Sequence, residues 1–188
     1  VMLSEKNLVS SVYNGLRVST IYETGLSLLP YHHAYEAVCG ILVGIHKHTT
    51  LCINESLRAI AKNLVLYKPS YMYVVPAVAT ALHKNVLRAA KKEGKLNALL
   101  FLMKLSNALR KVGIDIRAKA FSSVRNGLGG KLRKVVCGGA PVPTDTAYFF
   151  DAIGITLFNG YGITECSPLV SVNADDDHDY RTVGYPLP

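Results

Sequence analysis

Short apolar segments with strand character alternate with amphipathic helical segments along the whole chain, and this alternation restricts the fold more than any other feature. Prolines and glycines end the apolar runs, as Pro30, Pro76 and Gly138 do. Strand–helix–strand units with short connections form parallel pairs with right-handed crossovers. We therefore predict an α/β protein built on a parallel βαβ sheet that carries helices on both faces.

Five strands and at least five helices follow from this pattern. In parallel sheets, ligands bind outside the carboxyl ends of the strands, so we expect a site near Pro30, Pro76, Gly138 and Gly160. The predicted strands cover residues 26–29, 49–53, 71–75, 134–137 and 155–158. The predicted helices cover residues 4–20, 32–46, a segment that Asn54 caps, two or three helices within 77–112, and 144–152.

The positive charge is concentrated in one basic helical segment, residues 77–134. The chain has a net charge of +8, and this segment holds fourteen Lys and Arg against only Glu93 and Asp115. A solvated helical face and a surface that contacts anionic lipid both fit such a pattern. No nucleic-acid-binding motif accompanies the charge, so we expect no nucleic-acid partner.

The cysteines and the apolar stretches exclude several classes of protein. Cys39, Cys52, Cys137 and Cys166 form no CxxC pair, which argues against zinc and thioredoxin-like sites and indicates free thiols. The longest apolar stretch, residues 34–45, is too short to cross a bilayer, and no signal peptide begins the chain. We expect a cytoplasmic protein, with peripheral membrane contact through residues 77–134 as a further hypothesis.

A compact set of nucleotide-handling groups stands at residues 159–165, which read Asn-Gly-Tyr-Gly-Ile-Thr-Glu after an apolar run. The two glycines let the backbone approach a ligand closely. Tyr161 offers a flat face for a base, and Thr164 can donate a hydrogen bond to a phosphate oxygen. Glu165 supplies the hard oxygen that Mg²⁺ prefers.

This segment resembles the GYGxTE motif of the adenylate-forming enzymes, and other segments match the same family in order. The overall likeness is closest to the fatty acyl-CoA synthetases, whose large-domain fold it implies. The other matching segments are 1–8, which resembles the stretch after the family's phosphate loop, 29–36 (the LPxxHxxE stretch), 68–70 with 75–76 (KPT…VP), 138–141 (GGAP) and 182–188 (VGxPLPG).

The resemblance implies an ATP-dependent acid–thiol ligase. Such an enzyme joins a carboxylate to AMP with release of pyrophosphate, and CoA then displaces the AMP. The family's cofactors and substrates would be ATP, Mg²⁺, CoA and a small carboxylate, here a fatty acid. Mg²⁺ and aligned donors offset the repulsion between the anionic nucleophile and the anionic phosphate.

The resemblance also assigns roles to residues. Catalysis would involve Thr164 at the α-phosphate, Glu165 as the Mg²⁺ ligand, and His33, which would orient the acyl carboxylate. Tyr31, His33 and Ile163 would lie beside the acyl substrate. Gly160 and Gly162 would be small so that a ligand can pass. The residues assigned to nucleotide binding are Gly138, Gly139, Ala140, Pro141, Asn159, Gly160, Tyr161, Gly162 and Thr164.

The family's phosphate loop, its ribose-binding Asp and its C-terminal domain have no counterpart in these 188 residues. We therefore expect residues 1–188 to be the central fragment of an AMP-binding domain, inactive without the rest. Two alternatives stay open. The chain could be a non-catalytic module that binds lipid or a partner, or it could belong to a ligase for an aryl or amino acid.

Overall fold

The computed structural model describes residues 1–188 and contains one seven-stranded sheet in the order β2-β1-β3-β4-β5-β6-β7. The first five strands in chain order pair in parallel, and β6 and β7 are antiparallel additions at the β5 edge. The strands are β1 (Thr24–Ser27), β2 (Thr50–Ile53), β3 (Tyr71–Val74), β4 (Lys134–Cys137), β5 (Thr156–Gly162), β6 (Leu169–Val172) and β7 (Tyr185–Pro186).

Helices fill the crossovers between the parallel strands. The α-helices are α1 (Glu5–Val18), α2 (Val43–His46), α3 (Ile60–Tyr67), α4 (Pro76–Lys92), α5 (Leu96–Arg110), α6 (Arg117–Ala120), α7 (Ser122–Gly127) and α8 (Thr144–Ala152). A π-helix (Tyr35–Leu42) runs directly into α2, and short 3₁₀ turns occupy Leu57–Ala59 and Thr164–Cys166.

The sheet is covered on both faces, as the alternation of segments predicts. Along β3, Met72 and Val74 belong to a large core that α4, α5 and α8 cover, while Tyr71 points to the opposite face. That second face is covered by α1 and the π-helix through smaller clusters that include Val12 and Val38. Strands buried on both sides explain why the sequence shows continuous apolar runs.

The segment around the Asn-Gly-Tyr-Gly motif differs from the prediction, which ended the strand at residue 158. Strand β5 continues to Gly162, so the motif is extended backbone rather than the turn after a strand. Antiparallel pairing with β6 satisfies these backbone groups, and the N–H of Ile163 donates to the carbonyl of Pro168 over 2.9 Å. The four-residue β6 has no alternating pattern long enough to be recognised in the sequence.

Two of the predicted helices also differ from the prediction, one in its start and one in its type. Asn54 does not cap α3, because its amide donates to the carbonyl of Ser56 and its oxygen accepts from Asn63. The helix begins later, at Ile60, after a 3₁₀ turn. The predicted helix over residues 32–46 is instead a π-helix followed by one α-helical turn; such helices are rare and occur often at functional sites.

The basic helical segment is less exposed than a wholly solvated face would be. Arg110 and Arg117 both reach Asp151 of α8, at 2.7 and 3.4 Å. Arg125 donates to the carbonyl of Gly154 over 2.6 Å. These cations fasten α5, α6 and α7 to the end of α8, so part of the segment's charge stabilises the fold.

Lys134, the last cation of that segment, is buried with 1% of its surface exposed. Its ammonium pairs with Asp175 and donates to the carbonyl of Thr20 over 2.7 Å, 4.4 Å from the Phe158 ring centre. Burial lowers the pKa of Lys134, and Asp175 opposes that shift. The Asp-rich loop after β6 (residues 175–179) is therefore fixed to the core at its first aspartate.

Asp175→Asn should lower the free energy of unfolding by about 2 kcal/mol, because it leaves a buried ammonium without its counter-charge. Asp176→Asn is the matched control, since that exposed neighbour should change stability by no more than about 0.5 kcal/mol. Urea unfolding of the two variants measures the difference. Equal stabilities would show that Asp175 contributes nothing to holding Lys134.

Glu36 is a second buried charged residue, fully enclosed in the π-helix. Its Oε1 accepts a hydrogen bond from the Ser27 hydroxyl, and its Oε2 has no partner. Gly40 makes room for it, since a Cβ there would lie 2.6 Å from Oε1. Burial raises the pKa of Glu36, while the bond from Ser27 lowers it to a smaller extent.

Because the folded state holds this proton more tightly than the unfolded chain, the stability linked to Glu36 is complete below the unfolded-state pKa. It is lost as pH rises toward the folded-state pKa. Glu36→Gln should therefore reduce the decline in stability between about pH 4 and pH 8. Urea unfolding across that range measures the slope. Ser27→Ala, which removes the hydrogen bond, should steepen the decline, and identical slopes in all three proteins would contradict this account.

Candidate active site

A cavity of about 290 Å³ opens at the carboxyl ends of the parallel strands. Strands β1 and β3 are neighbours in the sheet. From β1 the chain continues to β2 on one side, and from β3 it continues to β4 on the other side. Ligands bind at such reversals of strand order in open α/β sheets. Pro30, Pro76, Gly138 and Gly160, the four strand-end residues singled out in the sequence, all line this cavity.

The loop after β1 brings His33 to the cavity wall. The N–H of His33 donates to the carbonyl of Pro30 over 3.0 Å, and its Nδ1 accepts from the N–H of Tyr35 over 3.2 Å. With Nδ1 occupied as an acceptor, the neutral ring carries its proton on Nε2. His33 can therefore donate a hydrogen bond to a carboxylate.

The turn after β4 forms a second wall through Gly138, Gly139 and Ala140. Gly139 has a φ of 85°, a conformation that side chains disfavour. Gly138 faces the Tyr35 ring, which a Cβ would approach to 3.2 Å. Backbone is thus exposed to the cavity, as the nucleotide assignment requires, while Pro141 lies just outside the lining.

Strand β5 supplies a third wall through Gly160, Tyr161 and Gly162. A Cβ on Gly160 would meet nothing closer than 3.4 Å, so this glycine leaves open space beside the cavity. Gly162 is different, because a Cβ there would lie 2.2 Å from the carbonyl oxygen of Pro168. The Tyr161 side chain is half exposed and can offer its ring face to a ligand.

Thr164 and Glu165 follow in the exposed 3₁₀ turn, outside the cavity lining. Glu165 presents a carboxylate, the hard oxygen ligand that suits Mg²⁺, and Thr164 presents a hydroxyl that can donate to a phosphate oxygen. Side chains of this chain form no group of three or more metal ligands. A single carboxylate fits a Mg²⁺ ion that keeps waters and substrate phosphate oxygens as its other ligands.

Asn159 lies behind the cavity wall rather than in it. Its amide donates to the carbonyl of Tyr180, and its backbone N–H donates to the Asn173 side chain over 2.7 Å. Asn173 in turn donates to the carbonyls of Asp179 and Thr182. These bonds fix the start of the motif against the loop after β6, so Asn159 can support the nucleotide site through the strand.

The inner part of the cavity is mostly apolar and comes from residues that motif reasoning missed. Burial raises the pKa of the Tyr35 and Tyr73 hydroxyls well above the usual value and that of Cys39 to about 12, so all three stay neutral. A wall without ionised groups suits the uncharged body of a ligand. The inner lining includes Ser11, Gly15, Leu16, Tyr35, Cys39, Val43, Tyr73, Val136, Leu169 and Val172.

Only some of the site residues predicted from the sequence lie together in the structure. His33, Gly138, Gly139, Ala140 and the Gly160–Gly162 stretch share one cavity. Tyr31 and Ile163 are exposed and do not line it, so their contact with substrate stays a prediction. The apolar inner wall carries no motif, although the position of Tyr35 two residues after His33 is a signal that could have indicated it.

The chain is similar over its whole length to curated acyl-CoA ligases. It is 26% identical to the long-chain-fatty-acid–CoA ligase FadD15 of Mycobacterium bovis, covering 99% of this chain and 34% of that protein. It is 28% identical to long-chain-fatty-acid–CoA ligase 1 of Cavia porcellus, covering 100% of this chain and 28% of that protein. The chain therefore spans about a third of the length of these relatives.

Solved structures share the fold. A long-chain-fatty-acid–CoA ligase (FadD1) from Archaeoglobus fulgidus superposes with a TM-score of 0.64 at 18% identity, covering 100% of this chain and 33% of that one. The anthranilate CoA ligase AuaEII, in complex with anthranoyl-AMP, gives 0.67 at 15% identity, covering 97% and 30%. The sequence model of the AMP-binding enzymes matches residues 1–188. The chain therefore belongs to the AMP-binding enzyme family.

Proposed function

We propose that the full-length protein is an ATP-dependent fatty acid–CoA ligase, and that residues 1–188 are the central part of its AMP-binding domain. The observation that carries the proposal is the neutral, apolar cavity that opens between the two glycine-rich walls at the carboxyl edge of the sheet. An acid with an apolar body fits inside, with its carboxylate at the edge. The 26–28% identical fatty-acid–CoA ligases support the same substrate class.

Each wall has a role in the proposed reaction. The Gly138–Ala140 backbone and the Tyr161 ring hold adenine between them. His33 donates from Nε2 to the acyl carboxylate and orients it toward the α-phosphate, which Thr164 holds by a hydrogen bond. These contacts hold the acyl carboxylate and the α-phosphate, both anionic, close together in a geometry near that of the attack.

Glu165 would hold Mg²⁺, which when bound supplies positive charge beside the phosphate oxygens. The exposed position of Glu165, in the turn directly after the β5 wall, lets the ion keep its water and phosphate ligands. CoA is the proposed acceptor in the second half-reaction. Its thiol would approach at the His33 side of the opening.

Carboxylate-dependent ATP–pyrophosphate exchange by the full-length protein tests the proposal. The panel runs over saturated acids from acetate to palmitate, with benzoate as the aryl alternative. We expect exchange to peak with an aliphatic acid. A maximum with benzoate would favour an aryl-CoA ligase, for which the paired Tyr35 and Tyr73 rings, 5.9 Å apart, would form the wall. No exchange with any acid, from folded protein, would favour the non-catalytic binding module.

Peripheral membrane contact is a second proposal for the basic helical segment. On α5 and the loop that follows, exposed apolar side chains such as Phe101 and Val112 stand among Lys104 and Lys111. Such a surface suits an anionic membrane. No helix combines the length and the apolar character that spanning a bilayer requires. Co-sedimentation with anionic vesicles should be strong, should weaken with salt, and should fall in Phe101→Ser.

A further inference from the structure

The inner wall of the cavity carries hydroxyl groups on helix α1. Ser11, Gly15 and Ser19 recur at a spacing of four residues and line the cavity together. Ser11 is 91% buried, since 9% of its surface is exposed, and its Oγ has no hydrogen-bond partner. Ser19 is also buried, but its Oγ accepts a hydrogen bond from Lys134. Ser11 is therefore the α1 hydroxyl left for another partner.

Tyr73 on β3 adds a second hydroxyl to the lining of the same cavity. The neighbouring tyrosines are satisfied, because Tyr35 donates to the carbonyl of Val136 over 2.9 Å and Tyr71 pairs with Thr49 at 3.0 Å. No group of the protein hydrogen-bonds the Tyr73 hydroxyl. Burial raises its pKa, so it stays protonated and can donate.

These two hydroxyls lie inward of the edge where the carboxylate would be held. Tyr73 and Val136 are interior residues of β3 and β4, whereas Pro76 and Gly138 follow those strands at the opening. An acid whose carboxylate lies at the opening would bring the later part of its body past Tyr73 and α1. A plain hydrocarbon chain there would leave both hydroxyls unpaired, which buried polar groups disfavour.

We propose that the substrate acid carries a hydrogen-bonding oxygen, a hydroxyl or an oxo group, along its chain, and that Ser11 and Tyr73 recognise it. This inference rests on the proposed function and narrows its substrate class. Ser11 can rotate its hydroxyl to donate or to accept, and Tyr73 can do the same. A site that hydrogen-bonds a substrate oxygen discriminates against the analogue that lacks it.

The test is ATP–pyrophosphate exchange by the full-length protein with matched acids: decanoate, its ω-hydroxy and oxo analogues, and isomers with the oxygen at inner positions. We expect kcat/KM for one oxygenated acid to exceed that for decanoate by roughly tenfold or more, the discrimination that one net hydrogen bond gives. In Ser11→Ala and Tyr73→Phe this preference, the ratio of kcat/KM for the oxygenated acid to that for decanoate, should fall by a similar factor.

Ser10→Ala is the matched control, because Ser10 is the exposed neighbour on the outer side of α1 and should keep the preference. If decanoate is exchanged as well as every oxygenated acid, or if Ser11→Ala and Tyr73→Phe leave the preference unchanged, the inference is wrong and the ligase function stands. If neither acid class supports exchange, the ligase function and the inference fail together.

Discussion

Glu165→Gln in the full-length protein is expected to lower carboxylate-dependent ATP–pyrophosphate exchange by roughly 10²- to 10³-fold, the loss seen when one charge-stabilising group is removed from a transition state. Glutamine keeps the size of the side chain but removes the charge that would hold Mg²⁺ beside the phosphates. The side chain is exposed and makes no contact that stabilises the fold. The loss should therefore appear in kcat without a change in unfolding free energy.

Glu93→Gln is the control for this experiment. Glu93 is also exposed and pairs only with Lys95 at 2.9 Å, far from the cavity lining. Its exchange rate should match that of the unmodified protein. If Glu165→Gln keeps most of its activity, Glu165 is not the metal ligand and another carboxylate must hold the ion.

Gly162→Ala should lower the free energy of unfolding by about 3 kcal/mol, the upper part of the range for overpacking. The added Cβ would meet the Pro168 carbonyl oxygen at 2.2 Å, and that oxygen cannot move easily because it accepts from Ile163. Relief would require β5 and β6 to separate at their last paired residues. Urea unfolding measures the cost.

Gly160→Ala, two residues earlier on the same strand, is the matched variant, for which we expect an effect on substrate binding rather than on stability. Its Cβ meets only ordinary contacts, so we expect a stability change of no more than about 1 kcal/mol. The methyl group would fill space beside the cavity, so KM for acid or ATP should rise instead. A large loss of stability in Gly160→Ala, or none in Gly162→Ala, would contradict this division of roles.

The parallel core of the sheet could be predicted from the sequence because its strands are short apolar runs, most of them ended by proline or glycine. The strand ends at Pro30, Pro76 and Gly138 also predicted the position of the cavity. His33 and Tyr161, which the motifs singled out, both line it. These inferences need only local sequence and the general rule that parallel strands end at one edge.

The rest depends on contacts between distant segments, which local patterns do not encode. The inner wall combines Ser11 of α1 with Tyr73 of β3, and nothing in the spacing of either segment indicates that they line the same cavity. Lys134 was expected to be part of a basic surface. Its burial could not be predicted, because it depends on the Asp175 carboxylate from another part of the chain. The extension of β5 likewise depends on β6, a strand too short to be predicted.

The bond between the N–H of Thr20 and Asp175 joins residues 155 positions apart. At ordinary rates of translation, on the order of ten to thirty seconds of synthesis separate these two residues. Helix α1 precedes the sheet strands that it covers in the chain, and the hydrogen bond at its C-terminal end forms only after the loop beyond β6 has been synthesised. Contacts of such long range slow folding. The end of the α1 wall near Thr20 should therefore become fixed in place only after most of the sheet has been synthesised.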